Sequence, residues 1–216
     1  MPMHDWTRVE PTIFHDFRHS WLSEIKRAIN RVLPTNFYAL IQQQRLQLDP
    51  NLTTQQRRLD LDRIPESAIV VCHDRDDRTL AIVEIVSPAI KYSADAVGSF
   101  AARICEGLRK KLQILLIDPF PQREQDKSVH CAIWQRFAHA PAAFSMEKPL
   151  LAATYSCRDS IEGYVHPFAV GDEWPDMPLF LEPEAYIDVP LERTYMAAWE
   201  AVPLRWRKVI EPGTGI

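Results

Sequence analysis

Glycine is scarce in this chain: six residues in 216, against seventeen prolines. That balance excludes long flexible linkers and predicts stiff turns and extended connections. Paired cysteines are missing too. Cys72, Cys105, Cys131 and Cys157 are widely separated and form no Cys-x-x-Cys, so the zinc-ribbon signature is excluded and buried, reduced thiols are predicted. There is no excess of one charge: the formal net charge is -4, which excludes a strongly basic nucleic-acid binder while leaving room for a local basic patch. No apolar run is long enough to span a bilayer. Met1-Pro2-Met3-His4-Asp5-Trp6 lacks the basic start and apolar centre of a signal peptide, so the expected location is cytoplasmic. Internal repeats are absent. What is present is a 46% hydrophobic content, enough to bury the core of a single domain.

The stretch from Ile69 to Asp118 organises the rest. It reads as a strand (Ile69–Asp74), a turn (Arg75–Arg78), a strand (Thr79–Val86), a loop, a helix (Ser93–Lys111) and a strand (Leu112–Asp118). Two acids stand out: Asp74 ends the first strand and Glu84 lies within the second. An acid inside the apolar run Leu80-Ala81-Ile82-Val83-Glu84-Ile85-Val86 is costly to bury unless it is paired or binds a cation. Asp76 and Asp77 fall in the turn and are expected to face water. Ser87-Pro88 takes the chain out of the sheet, and Ser93 suits a helix N-cap. Leu112–Ile117 is almost wholly apolar, as an interior strand covered on both faces would be.

Around this stretch, a helix from about Thr12 to Val32 carries Phe14, Phe17, Trp21, Ile25, Ala28 and Val32 at three- and four-residue steps. His15 and His19 lie four apart on it. That spacing could clamp a metal, but with no carboxylate or third ligand at a recognised offset they read as polar residues beside the aromatic stripe. Phe37 to Leu48 alternates as a strand, and the polar stretch Leu52–Glu66 reads as a solvated connection. Further along, Val129–Phe137 alternates as a strand, with weaker strands at Leu150–Ser156 and Tyr164–Val170. Asp172–Pro183 is proline-rich and leaves Trp174 and Phe180 looking exposed. Pro190–Ala201 reads as a helix, followed by the basic, aromatic Arg205-Trp206-Arg207-Lys208.

The sum is an α/β (α+β) chain with a mixed central sheet flanked by helices. A core of about residues 12–121 would be followed by a β/irregular and helical extension of about 122–216, all in one domain. The α-β-β-β-α-β order, with one acid at a strand end and another inside the next strand, resembles the PD-(D/E)XK nuclease-like (restriction endonuclease-like) fold. More narrowly, Ala81-Ile82-Val83-Glu84-Ile85-Val86-Ser87-Pro88-Ala89-Ile90-Lys91 is similar to the signature of the bacterial family catalogued as domain of unknown function 4058. Trp6, Phe14-His15, Leu33-Pro34, Tyr38-Ala39-Leu40-Ile41-Gln42 and Val189-Pro190-Leu191 with Tyr195 fit the same family. A second large bacterial family of that superfamily shares the Glu-to-Pro segment, a likeness that extends to Ile117-Asp118-Pro119.

The resemblance implies a nuclease-like protein, with Asp74 and Glu84 as ligands of Mg²⁺ and hydrolysis of a phosphodiester by a metal-activated water. It also implies a lysine beside the metal. The superfamily places that lysine two residues after the strand acid, where this chain has Val86, so Lys91 takes the role and Arg103 is second choice. Asp74, Glu84 and Lys91 are thus the candidate catalytic set, with nucleic acid as the partner that set implies. The competing reading is a non-catalytic binding or scaffold protein that keeps the fold, Glu84 being held in a structural ion pair by Lys91 or Arg78. A third is a homo-oligomeric accessory protein using its aromatic C-terminal segment as an interface. Carboxylate geometry separates the first two: Asp74 and Glu84 oxygens within about 5 Å of each other would favour a metal.

Overall fold

A computed structural model describes residues 3–43, 67–121, 128–137, 147–157, 160–182 and 185–211. The first long element is helix α1 (Pro11–Val32), with Pro11 in its first turn, where a missing amide proton costs nothing. Its apolar residues at three- and four-residue steps bury Phe14, Phe17, Trp21, Leu22, Ile25 and Ile29 along one face. Strands β1 (Phe37–Gln43), β2 (Ser67–His73) and β3 (Thr79–Ile85) then form an antiparallel meander. The tight turn before β3 is closed by the His73 amide donating to Arg78 O, with Asp77 in the left-handed region at φ 54°. Helix α2 (Ala94–Arg109) crosses over to β4 (Gln113–Asp118), which runs parallel to β3. Ser93 caps α2 by accepting from the Ala96 amide.

The sheet does not stop at β4. After helix α3 (Val129–Gln135), strands β5 (Leu150–Cys157) and β6 (Ile161–Phe168) add to it in antiparallel fashion, giving six strands in the order β1-β2-β3-β4-β5-β6. The hairpin β7 (Asp176–Phe180) and β8 (Tyr186–Pro190) follows, and then helices α4 (Leu191–Trp199) and α5 (Leu204–Ile210). β4 is buried along its whole length between β3 and β5, as its apolar run requires.

Two apolar layers sandwich the sheet. On one face α1, α4 and the β7–β8 hairpin pack with Ile69, Val71, Ala81, Val83, Ile85, Leu115 and Ile117. On the other, α2 and α3 pack with Ile114, Leu116, Leu151, Ala153 and Tyr155. Side chains alternate across each strand. Glu84 therefore sits on the α2 face, between Val83 and Ile85 of the α1 face. Asp118, two residues past Leu116, is on the α2 face as well.

Two expectations need correction. Val129–Phe137 is no strand: its first seven residues form α3. Apolar residues at 129, 131 and 133 satisfy a two-residue period, but 129 and 133 also satisfy a four-residue one. Ser128 decides between them by accepting from the Cys131 amide as an N-cap. Trp174 and Phe180 are buried, at 3% and 5% exposure, because the hairpin folds back over the sheet instead of looping into water. Trp199 is buried and stacks on His4. The strand from Phe37 is described to Gln43. The remainder expected to Leu48, and the connection Leu52–Glu66, lie outside the described residues. All four cysteines are buried and free. Among the described residues no helix is long and apolar enough to cross a membrane.

Candidate functional site

Parallel strands β3 and β4 end side by side, and the polar residues of interest lie at those ends. Register pairs Glu84 with Leu116 and Ile85 with Ile117, and the Val86 amide continues the ladder by donating to Ile117 O at 2.8 Å. The ends of parallel strands in an open sheet are where a crevice can form. Here that position is filled from the β3–α2 segment. Pro88 turns the chain, with the Ile90 amide donating to Ser87 O and the Lys91 amide to Pro88 O. The turn aims Lys91 back at the sheet, where its Nζ lies 2.7 Å from Asp118 Oδ2 and donates to Phe120 O at 2.8 Å.

Glu84 is fully buried. Arg103 of α2 donates from Nη1 to Glu84 Oε1 at 2.6 Å, and its guanidinium also lies over the Phe100 ring, 4.7 Å from the centroid. Two buried carboxylates are thus each met by a cation carried on the same crossover, Lys91 at its start and Arg103 within its helix. Burial pushes the Asp118 carboxyl up from its ordinary range, and the Lys91 ammonium pulls it part of the way back. On the opposite face Arg18, itself buried, donates from Nε to Ile85 O and from Nη2 to Ser67 O, both at 2.8 Å. It pins α1 to the same end of the sheet.

Asp74 does not join this group. β2 and β3 are antiparallel with Cys72 opposite Thr79, so the end of β2 nearest Glu84 is its start, at Ser67, and Asp74 follows its finish. From Thr79 to Glu84 is five residues of strand, roughly 17 Å at ~3.3 Å per residue. Asp74 is half-exposed and its carboxylate lies 3.4 Å from His73 Nδ1. Arg78, the other cation considered for Glu84, lies instead 3.8 Å from Asp76. The structure therefore brings Lys91 and Glu84 to one face of the sheet, gives each a different partner, and leaves Asp74 at the far end.

On β5, opposite Ile114 of β4, lies a second polar pair. Tyr155 is wholly buried, and its hydroxyl is 2.6 Å from His130 Nδ1 on α3. Burial lowers the His130 pKa to about 4 and raises that of Tyr155. Both groups are therefore neutral at pH 7. Burial also pushes the Cys157 thiol up to about 11 and the Cys105 thiol upward, which removes both as nucleophiles at neutral pH.

The fit of these residues to a Mg²⁺ ion is poor. A hard cation wants several oxygens converging on one point. Asp74 is remote from Glu84, Glu84 Oε1 is bonded to Arg103, and Asp118 Oδ2 to Lys91. Among the described residues no group of three His, Cys, Asp or Glu side chains is placed to hold a metal. Asp118 and Arg103 are the residues that sequence reasoning underrated. The signal for Asp118 was an acid closing an otherwise apolar strand; that for Arg103 was a cation near the middle of an amphipathic helix that must cover Glu84.

Fold and site together define a mixed α/β protein whose central parallel strand pair ends in two carboxylate–cation pairs. Among known proteins, no family model, no curated protein and no solved structure matches this chain.

Proposed function

We propose that this is a non-catalytic binding or scaffold protein built on a restriction endonuclease-like core, in which Glu84 and Asp118 serve as structural ion pairs. Support for the core comes from the order α1-β1-β2-β3-α2-β4, the sheet order β1-β2-β3-β4 and the parallel pairing of β3 with β4. Strands β5 and β6 extend that sheet. The observation that carries the non-catalytic reading is the 2.6 Å contact between Arg103 and the fully buried Glu84. A buried acid needs a countercharge, and α2 supplies one where a nuclease would need an open carboxylate.

The test is cleavage. Supercoiled plasmid DNA and a structured RNA are incubated with the protein in Mg²⁺ or Mn²⁺ buffer, beside the Glu84→Gln variant. The reading expects no cleavage above that of the variant. Cleavage by the parent that disappears in Glu84→Gln would restore the expectation of a Mg²⁺-dependent phosphodiesterase acting through Glu84 and Lys91. Gel-shift measurements with the same nucleic acids, and sedimentation for self-association, then say what kind of binding the scaffold serves.

A further inference from the structure

Helix α1 holds a feature the ion pairs do not use. His15 and His19 are one helical turn apart, and their Nε2 atoms approach to 3.1 Å. The rings are 4.6 Å apart and nearly perpendicular, at 82°. Both side chains are half-buried, flanking the packed face of the helix, so water reaches them. We propose that His15 and His19 form an open two-imidazole binding site for a late first-row divalent cation: Zn²⁺, Ni²⁺ or Cu²⁺.

Geometry supplies the first argument. Two metal–nitrogen bonds of about 2.1 Å over a 3.1 Å base enclose an angle of about 95°, between octahedral and tetrahedral values. The helix has thus set the two nitrogens at chelating distance. Imidazole nitrogen suits these metals and not Mg²⁺, so the proposal is separate from the Mg²⁺ expectation for the sheet carboxylates.

The proton balance is simple. In the present contact one Nε2–H donates to the other Nε2 lone pair. Binding replaces that proton with the metal, and the donor ring takes a proton at Nδ1 instead, so both imidazoles stay neutral. Arg18, between the two in sequence, has its guanidinium committed to Ile85 O and Ser67 O. Among the described residues no third His, Cys, Asp or Glu completes a protein cage. Water fills the other positions, which makes the site exchangeable rather than structural.

Calorimetric titration of tag-free protein with Zn²⁺ and Ni²⁺, and electron paramagnetic resonance with Cu²⁺, test this. The variants are His15→Gln and His19→Gln, which keep a polar side chain, and His166→Ala on exposed β6 as the control. One equivalent should bind, unaffected by excess Mg²⁺. Either Gln variant should weaken it by about tenfold or more, since loss of a ligand costs at least what loss of a ligand's own hydrogen-bond partner does. His166→Ala should leave it unchanged. The Cu²⁺ spectrum should report two imidazole nitrogens in the parent and one in each Gln variant. Absence of saturable binding, or binding that survives His19→Gln unaltered, would overturn the proposal and leave the pair as an imidazole–imidazole hydrogen bond. Circular dichroism of the variants shows whether any loss is one of ligation rather than of fold.

Discussion

Arg103 and Glu84 share a 2.6 Å contact but not an environment: the Glu84 side chain is fully buried, while that of Arg103 is 38% exposed. The two ends of the pair should therefore respond differently to mutation. Arg103→Met takes its cation away from a buried carboxylate and is expected to cost about 3 kcal/mol, the lower end for breaking a buried pair. Glu84→Gln keeps an amide oxygen for the guanidinium, which can also turn to water, and should cost about 1 kcal/mol. Urea midpoints of the two variants at pH 7.5 check the asymmetry. A Glu84→Gln variant more stable than the parent would contradict the pairing, since relief of carboxylate repulsion is the mark of a metal site.

Acid should destabilise the protein earlier than ordinary carboxylates would. His4 stacks on Trp199 and its Nδ1 lies 2.8 Å from the Tyr195 hydroxyl; His130 is buried against Tyr155. Burial lowers both pKa values from 6.5 to about 4. The unfolded chain takes up these protons below pH 6.5 and the folded one does not until pH 4, so stability falls as pH drops through that window. Each group contributes up to about 3 kcal/mol of the loss. Urea midpoints measured from pH 8 to pH 4 should begin to fall near pH 6.5, and a midpoint level down to pH 5 would count against it.

Gly163 on β6 lies opposite Tyr155, with the Trp134 indole against its backbone. A Cβ added there would come 2.5 Å from Trp134 Cζ2. Gly163→Ala must push the indole off the sheet and is expected to cost roughly 1–3 kcal/mol, the usual penalty of overpacking. Thermal melts, with tryptophan emission as the local readout, check this; an unchanged melt and emission would mean the indole does not rest on β6.

The four thiols should be silent in the folded state. Cys72, Cys105, Cys131 and Cys157 are all buried, and burial raises the Cys105 and Cys157 pKa values. An aromatic disulfide reagent at pH 7.5 is expected to modify none of them within minutes in native buffer and all four in guanidinium. Rapid modification of any thiol in native buffer would contradict the packing around it.

The main elements were legible because their signals were local. The aromatic stripe of α1, the apolar run of β4 and the Ser93 cap each determine one element without help from the rest of the chain. The site was less legible because its partners are set by register. Asp74 looked suitable as the acid at a strand end, but an antiparallel neighbour presents its start, not its finish, to the end of β3. Lys91 was legible as the cation that Pro88 turns back to the sheet, yet its distance from Asp118 depends on how the crossover seats β4 beside β3. Arg103 and Glu84 are nineteen residues apart, a spacing that carries no pattern until α2 lies over β3. The α3 error has a similar origin, since seven residues with apolar positions at 129, 131 and 133 fit either period and only Ser128 separates them.

The central claim is that the buried carboxylates are committed to Arg103 and Lys91 rather than to a metal ion. Calorimetric titration of the parent protein with Mg²⁺ at pH 7.5 tests it most directly, with Glu84→Gln titrated alongside. The expected result is no saturable heat in either protein. A one-site isotherm in the parent that vanishes in Glu84→Gln would contradict it, because Glu84 would then have exchanged Arg103 for the cation.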